Sequence, residues 1–311
     1  MLPKISIIMS AYNGAEHLPQ QISSILNQSY RDWQLFIRDD NSSDNTLDII
    51  ESYARRYPDK VNVIRDKKRN IGISKSFLSL LNYVESDYVM FCDQDDIWLP
   101  DKIKITFDKM RETEEKFGLS TPVLIHTDLK VVDKRLNIVS DSFWRYQHLN
   151  PEKGKTLNRL LVQNVVTGCT MMINRALKNK IRFFPKQAIM HDWWASLVAA
   201  AFGKIDYVPT STILYKQHDN SSIGAKEWGM GYMMKMARPR SGIKATLQKT
   251  RIQAGAFLDT FRNELTSEYL NLLDAYSTLD NQAFLIKRCN LIKYRFFKIG
   301  FFRNIGLFLT V

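Results

Sequence analysis

The 311-residue sequence has only three cysteines and no uninterrupted apolar run of membrane-spanning length. Cys92, Cys169 and Cys289 are too few and too scattered for a disulfide framework or a cysteine-based metal site, which fits a reducing cytoplasm. A membrane span needs roughly 20 apolar residues, and the last candidate, residues 299–311, is broken by Arg303. Because a strand-like run begins almost at once, without a basic region before it, we expect no signal peptide and a cytoplasmic protein.

A glycine-rich phosphate loop is also missing. The segment after the first strand-like run reads Tyr12-Asn13-Gly14-Ala15 and does not supply the G-x-G-x-x-G of nicotinamide-dependent oxidoreductases. It equally lacks the Gly-rich loop expected of a sugar nucleotidylyltransferase. Both classes of enzyme are therefore disfavoured.

The composition is that of an ordinary globular protein, with 45% hydrophobic and 24% charged residues. The formal net charge of +12 is uneven, because residues 225–311 carry 14 Lys and Arg against 6 Asp and Glu, a balance of +8. We therefore predict a main domain over 1–224 and a basic helical extension over 225–311. No long Gly/Pro linker separates them, so the boundary near Gly224 is a soft one.

Short β-rich runs alternate with helical patterns through the first hundred residues, which predicts an α/β fold with crossover helices on a mainly parallel sheet. The predicted strands are Ile5–Ser10, Trp33–Asp39, Val61–Arg65 and Tyr88–Cys92, and the predicted helices lie near Leu18–Gln28, Thr46–Tyr57 and Ser74–Val84. From residue 123 the pattern is mixed. It predicts strands over Val123–Thr127 and Val165–Ile173, a helix over Asp192–Phe202, and a loop over Asp141–Lys155 that could cover a ligand.

Polar clusters follow the predicted strands of the first half. They are Ser10-Ala11-Tyr12-Asn13, Asp39-Asp40, Asn70-Ile71-Gly72 and Asp93-Gln94-Asp95-Asp96. Ligands of open α/β sheets bind beyond the carboxyl ends of the strands. One shared site can therefore collect all four clusters.

The acidic cluster at 93–96 carries the most chemical information. Several carboxylates at a strand end repel one another unless a cation neutralises them, and a divalent ion with oxygen ligands does this well. The alternative is a solvated acidic turn, since D-x-D is short and common. The cluster alone does not decide between the two.

Together with His191-Asp192, these clusters resemble a family-two, GT-A-fold inverting glycosyltransferase over roughly the first 220 residues. The resemblance implies a nucleotide-binding half over 1–100 and an acceptor half over 101–224. It also implies a nucleotide-sugar donor, a divalent metal (Mn²⁺ or Mg²⁺) and no covalent enzyme nucleophile.

The resemblance also implies roles for residues of the nucleotide-binding half. Ala11 and Tyr12 would line the nucleobase pocket, Asp40 would accept a hydrogen bond from the base, and Asp93 would lie near the ribose. Asn13, Asn70, Gly72 and Glu16 are further candidates for donor binding, although the position of Glu16 at a helix start is equally explained by the helix dipole. Asp95 matches the metal-binding carboxylate, whereas a structural role is favoured for Asp96. Nothing is assigned to Gln94.

In the acceptor half, Asp192 is the implied catalytic base, with a plain helix N-cap as the alternative. Trp193 could stack on a sugar, and Gly168 would bring the backbone near the acceptor. The segment Tyr215–Asn220 resembles one that closes such sites, so that His218 could complete the metal shell and Lys216 could pair with phosphate.

The 191–194 and 215–224 segments resemble those of bacterial rhamnosyltransferases of rhamnose-rich cell-wall polysaccharides. The resemblance implies dTDP-L-rhamnose as donor and a lipid-linked saccharide as acceptor. UDP-galactose, UDP-glucose and UDP-N-acetylhexosamine are rival donors. A non-catalytic membrane adaptor is the alternative of another class, but it leaves the ordered polar clusters unexplained.

The C-terminal residues 284–309 interleave large apolar residues with Lys and Arg and contain no acidic residue. A basic amphipathic helix of this kind suits an anionic membrane surface, here the inner face of the cell membrane. The alternative is a helical hairpin packed on the catalytic domain or on a twin subunit of a homodimer. Nucleic acid is not expected as a partner, because no binding motif accompanies the charge.

Overall fold

The computed structural model describes residues 4–217 and 240–311. Within these residues nine strands form one sheet. The strands are β1 (Ile5–Ala11), β2 (Trp33–Asp39), β3 (Val61–Val63), β4 (Tyr88–Cys92), β5 (Ile97–Trp98), β6 (Val123–Val132), β7 (Ile138–Ser140), β8 (Met172–Asn174) and β9 (Lys204–Lys216).

Helices cover the sheet and continue beyond it to the C-terminus. Those before the last strand are α1 (Leu18–Leu26), α2 (Thr46–Arg56), α3 (Ile73–Tyr83), α4 (Lys102–Phe117), α5 (Phe143–Tyr146), α6 (Leu157–Val162), α7 (Arg175–Lys180) and α8 (His191–Phe202). Those after it are α9 (Arg240–Phe261), α10 (Ser267–Ser277), α11 (Phe284–Lys293) and α12 (Phe301–Thr310). Single 3₁₀ turns occur at Lys153–Lys155, Gly168–Thr170 and Leu279–Asn281.

The sheet has the order β3-β2-β1-β4-β8-β6-β9-β5, with β7 paired to β6. Strands β1 to β4 are parallel to their neighbours within this group, as the alternation of strands and helices predicts. Strand β8 runs antiparallel to β4 and β6, and β9 runs parallel to β6, so the second half is mixed. The register places Ala11 beside Asp39 and Met9 beside Cys92, so the polar clusters after β1, β2 and β4 share one edge. The predicted α/β class is confirmed.

The predicted strand over Val165–Ile173 is largely wrong. Only Met172–Asn174 forms a strand, and a 3₁₀ turn at Gly168–Thr170 precedes it. The side chain of Asn164 exchanges two hydrogen bonds with the backbone of Val166, which satisfies backbone groups that a strand would pair. A short buried apolar run does not distinguish these cases by its pattern.

The predicted loop at 141–155 also contains helix α5 and a 3₁₀ turn. Its residues Phe143, Gln147 and Leu149 line the large cavity described below. The segment therefore borders a ligand space, as expected, but with more regular structure than a loop.

The C-terminal helices share one hydrophobic core with α6 and α8. The ring of the fully buried Trp194 in α8 lies 5.3 Å from Phe257 and 6.1 Å from Phe261, both in α9. Further along, Leu291, Phe296 and Leu307 are buried in the same core. The extension therefore packs on the part of the chain that forms the sheet, whereas the boundary near residue 224 lies outside the described residues.

The same helices leave large apolar side chains uncovered. Phe284 and Leu285 in α11 and Phe301 in α12 are exposed to solvent. Within the described residues no helix is long and apolar enough to cross a membrane. Of the two alternatives for the tail, the packed hairpin accounts for its inner face, and the outer face keeps the amphipathic character expected at a membrane surface.

Candidate active site

A cavity of about 1630 Å³ opens at the carboxyl edge of β1, β2 and β4 and extends to α8 and α12. Most of the site residues predicted from the sequence line this cavity. Those lining it are Tyr12, Asn13, Glu16, Asp40, Asn70, Gly72, Asp93, Asp95, Gly168, Asp192 and Trp193.

Two of the predicted site residues that the structure describes do not line the cavity. Ala11 is fully buried at the end of β1, so its side chain belongs to the core rather than to a nucleobase pocket. Lys216 is also buried, and its ammonium donates a hydrogen bond to the Gln20 side chain at 2.6 Å instead of facing the cavity. His218 lies outside the described residues.

The backbone of Tyr12 is held by Gln94, a residue with no predicted role. The Tyr12 N–H donates to Gln94 Oε1 at 2.9 Å, and Gln94 Nε2 donates to the Tyr12 carbonyl at 3.0 Å. The contact requires a glycine nearby, because a Cβ on Gly14 would lie 2.2 Å from Gln94 Oε1. The Tyr12 ring remains half exposed at the cavity, where a planar base could stack on it.

The turn after β2 fixes the next residues of the same loop. Ser42 Oγ accepts from the N–H of Asn13 at 2.9 Å, and Asn13 Oδ1 accepts from the N–H of Ser43 at 2.8 Å. Asn13 has a φ of 46°, a left-handed conformation that Asn tolerates better than most residues. The strand ends β1 and β2 are thereby joined into one rigid rim.

Asp40 is held by three donors below the cavity. Arg38 Nη1 donates to it at 2.7 Å, and the N–H groups of Ile71 and Gly72 donate at 3.0 and 2.8 Å. Burial favours the neutral acid, but these hydrogen bonds outweigh it and lower the pKa of Asp40 below its ordinary value. Asp40 is therefore an anion that accepts hydrogen bonds and also positions the 70–72 segment.

Three carboxylates converge where the turn after β4 meets α8. Desolvation, with Asp95 and Asp192 nearby, raises the pKa of Asp93 to about 7. Such a shift marks carboxylates whose repulsion is not compensated by cations. An oxygen-rich set of this kind suits Mg²⁺ or Mn²⁺, and the side chains present at Asp93 and Asp95 therefore fit the divalent ion that the resemblance implies.

A buried layer supports the acidic turn from below. Asp93, Asp96 and Cys169 each bring a potential ligand atom to within 4.8 Å of one another. Burial raises the pKa of the Cys169 thiol well above its ordinary value, so it is a protonated thiol that hydrogen-bonds to Asp96 rather than a soft metal ligand. Asp96 is 1% exposed, which fits the structural role favoured for it.

The same layer contains Lys102, which is fully buried. Its ammonium lies 4.8 Å from the Trp98 ring, and its Nζ finds no hydrogen-bond partner in the part of the chain that the structure describes. Burial lowers the pKa of Lys102 to about 8, while the carboxyl group of Asp96 opposes the shift. This cation partly offsets the negative charge of the turn.

Asp192 lies in the first turn of α8, at the wall of the cavity. The N–H of Trp193 donates to its carboxylate at 2.6 Å, and the Gly168 N–H and the Asn164 side chain donate as well. Burial nevertheless raises the pKa of Asp192 to about 6. A carboxylate with that pKa is ionised at neutral pH and remains basic enough to accept a proton.

The neighbours of Asp192 fix the direction of α8. His191 is buried between the rings of Phe77 and Phe91, with centroids 4.3 and 5.5 Å away, and burial lowers its pKa to about 3. A Cβ on Gly168 would lie 2.9 Å from His191 Nε2, so glycine permits this close approach. The Trp193 indole donates to the Leu160 carbonyl at 2.6 Å and lines the cavity.

Comparison with known families decides the identity of this arrangement. Residues 6–181 match the sequence profile described as Glycosyl transferase family 2. The chain belongs to glycosyltransferase family 2. The parallel half-sheet, the acidic turn after β4 and the 3₁₀ turn at 168–170 all lie within the matched residues.

This family-two chain is similar in sequence to two bacterial proteins with named activities. The dTDP-rhamnosyl transferase RfbG of Shigella flexneri is 28% identical over 228 residues, which are 70% of this chain and 74% of RfbG. The UDP-Glc:alpha-D-GlcNAc-diphosphoundecaprenol beta-1,3-glucosyltransferase WfgD of Escherichia coli is 28% identical over 180 residues, 58% of this chain and 63% of WfgD.

Solved structures show the same fold. Residues 1–349 of TarS from S. aureus, in complex with UDP-GlcNAc, superpose with a TM-score of 0.57 at 16% identity, covering 94% of this chain and 79% of that one. The chain spans 43% of a longer TarS chain. The mannosyltransferase PcManGT from Pyrobaculum calidifontis, in complex with GDP-Man and Mn²⁺, gives 0.54 at 14% identity, covering 99% and 79%. The GT-A fold expected from the sequence is confirmed.

Several residues of this family-two site escaped sequence reasoning. Arg38 and Gln94 each hold a predicted residue in place, and Asn164 holds the predicted base. A charged residue inside the apolar β2 run was the available signal for Arg38. Gln94 and Asn164 carried none, because their partners are backbone or side-chain groups distant in sequence.

Proposed function

We propose that this family-two enzyme transfers L-rhamnose from dTDP-L-rhamnose, with inversion, to a lipid-linked saccharide during cell-wall or cell-surface polysaccharide synthesis. The observation that carries the proposal is the single cavity in which the Asp93–Asp95 cluster and the buried carboxylate of Asp192 meet. The residues proposed to bind the donor and the proposed base therefore line one cavity, whose volume of about 1630 Å³ is large enough for two substrates.

In this proposal the Asp192 carboxylate takes the proton of the acceptor hydroxyl as its oxygen attacks the anomeric carbon. The nucleoside diphosphate leaves from the opposite face, so a single displacement inverts the anomeric centre. The N–H groups of Trp193 and Gly168 keep Asp192 oriented while it gains the proton. Tyr12 would stack on the base, and Asp40 would accept from its edge.

Asp95 would hold the divalent ion, with Asp93 beside it near the ribose, and the ion when bound stabilises negative charge on the leaving diphosphate. The solved PcManGT complex contains Mn²⁺, and its fold is shared by this chain. Asp96 and Cys169 also bring a potential ligand atom near Asp93, but a structural role is favoured for the buried Asp96. His218 lies outside the described residues and stays a prediction as a further metal ligand.

The choice of donor rests on the name and similarity of RfbG. WfgD uses UDP-Glc, and TarS was solved with UDP-GlcNAc, so UDP sugars are the rival donors. The lipid-linked acceptor is supported by WfgD, whose name specifies a diphosphoundecaprenol substrate. The exposed apolar side chains of α11 and α12, together with the exposed Lys293 of α11, support attachment to the inner face of the membrane. A homodimer stays a prediction.

Nucleotide sugars should be screened for thermal stabilisation of the protein with Mn²⁺, with Mg²⁺ and with chelator. We expect dTDP-L-rhamnose to raise Tm most, and only with metal. Stabilisation by a UDP sugar alone would replace the rhamnosyl assignment, and undiminished stabilisation in chelator would overturn the metal assignment.

Asp192→Asn then separates catalysis from binding. The variant should bind donor and metal as the wild type does, yet lose transfer by about 10²–10⁴-fold. Asp95→Asn should lose metal-dependent binding itself. Full transfer by Asp192→Asn would contradict the base assignment, and donor binding without turnover on any acceptor would favour the adaptor alternative.

A further inference from the structure

We propose that the part of the cavity walled by α12 binds the diphosphate and the first isoprenoid units of the acceptor lipid. This inference rests on the proposed lipid-linked acceptor and assigns it a site. It makes the C-terminal extension part of the substrate site as well as a surface helix.

One face of α12 forms an apolar wall of the cavity. Phe302, Ile305, Gly306 and Leu309 line it at the i, i+3, i+4 and i+7 spacing of a single helix face. Phe302 and Leu309 are 61% and 67% exposed, so no protein group of the described residues covers them fully. From the first to the last of these residues the helix rises roughly 10 Å, a length suited to a short stretch of extended hydrocarbon.

The opposite wall is also apolar and leads to the proposed base. Val162, Val165, Val166 and Met190 line the same cavity as Asp192. Pockets for one small ligand typically measure roughly 300–1,000 Å³, whereas this cavity measures about 1630 Å³. The space beyond the donor groups is therefore continuous with an apolar groove, as an acceptor with a saccharide head and a lipid tail requires.

Two cations lie at this end of the cavity. Lys298 and Arg303 line it, and residues 284–309 contain no acidic residue. Arg303 is fixed by donating to the carbonyls of Gln147 at 2.6 Å and His148 at 3.1 Å, which joins α12 to the segment after α5. The Lys298 ammonium has no carboxylate partner in the part of the chain that is described.

The cationic side chains of Lys298 and Arg303 suit a diphosphate group. Burial and Arg303 lower the pKa of Lys298 to about 8, a cost that an anionic ligand would relieve. The carboxylates of Asp93, Asp95 and Asp192 line the same cavity. A molecule with a neutral sugar near Asp192, a diphosphate near Lys298 and a hydrocarbon tail on α12 matches all three regions.

The proposal can be tested with farnesyl diphosphate as the probe. Its binding is measured by isothermal titration calorimetry in chelator, so that a metal-dependent donor site is silent, with inorganic diphosphate and farnesol as partial probes. In the wild type we expect farnesyl diphosphate to bind at least tenfold more tightly than either partial probe.

Gly306→Leu places an apolar side chain in the groove, where a Cβ at Gly306 meets no atom within 4 Å; unfolding in urea, measured beside Gly306→Ala, checks that the fold is kept. We expect at least tenfold weaker farnesyl diphosphate binding in this variant, near-wild-type binding in Gly306→Ala, and at least fivefold weaker binding of both diphosphates in Lys298→Gln. Ile286→Asn is the matched control, since Ile286 is an exposed apolar residue of α11 that does not line the cavity.

Unchanged binding in Gly306→Leu and Lys298→Gln would overturn the proposal. An equal loss in Ile286→Asn would also overturn it, because the probe would then bind the outer apolar face. Metal-dependent stabilisation by the nucleotide sugar should persist in all these variants. If it does while the probe binding is unaffected, the acceptor site is wrong and the proposed transferase function stands.

Discussion

Substitution of Gln94 tests whether its contact with Tyr12 prepares the nucleotide site. Gln94 exchanges hydrogen bonds of 2.9 and 3.0 Å with the Tyr12 backbone. Each such bond contributes about 1 kcal/mol net. Gln94→Met has a similar volume and removes both, so we expect the residue that presents the Tyr12 ring to become mobile.

The size of the effect on binding follows from ordering that residue again. Fixing one residue's backbone costs about 1–2 kcal/mol, which corresponds to roughly 5–30-fold weaker nucleotide binding. Gln94→Glu keeps the acceptor for the Tyr12 N–H. It places a carboxylate oxygen against the Tyr12 carbonyl and adds charge beside Asp93 and Asp95, so it should bind at least as weakly.

The assay is calorimetric titration with dTDP and Mn²⁺, paired with urea unfolding of each variant. Gln34→Met is the matched control, because Gln34 on β2 donates to the Asp59 carbonyl away from the cavity. If Gln94→Met binds dTDP with wild-type affinity and only its free energy of unfolding falls, the contact stabilises the fold and does not prepare the nucleotide site.

Three further predictions concern the base, the core and the tail. The pKa of Asp192 is raised to about 6, so its carboxylate becomes protonated as the pH falls. The rate of transfer at saturating donor and metal should therefore drop about tenfold from pH 7 to pH 5. A rate that does not change with pH would exclude Asp192 as the base. Phe257→Ala, in the core shared by α8 and α9, should lower the free energy of unfolding by about 3–5 kcal/mol in urea titrations, whereas a small effect with donor binding intact would mean that α9 folds separately. Leu285→Ser with Phe301→Ser should release the protein from phosphatidylglycerol vesicles in co-sedimentation without lowering Tm, and unchanged sedimentation would assign the exposed face to another partner.

The tail illustrates why substitution is a better test than truncation. Its sequence shows mixed apolar and basic residues, but it does not show which apolar residues face inward. In the structure Leu291, Phe296 and Leu307 are buried, so deleting the tail would expose the core on which α8 packs. Surface substitutions avoid that effect.

The order of the strands and helices of the first half, and the polar clusters that follow the strands, could be predicted from the sequence. This is because periodicity and turn residues are local properties, and because parallel strands end at one edge of a sheet. Tyr12, Asp40, Asp93 and Asp95 could therefore be assigned to one site from the sequence, whereas Asp192 was added only by the family resemblance.

The contacts that hold these residues, and the predicted residues that do not line the cavity, became known only from the tertiary structure. Gln94 accepts a hydrogen bond from Tyr12, 82 positions away in the sequence. Ala11 is buried in the core, and Lys216 donates a hydrogen bond to Gln20. Tertiary structure also brought the α12 face to the cavity of Asp192. Such contacts depend on how distant elements pack, and no local pattern in the chain encodes them.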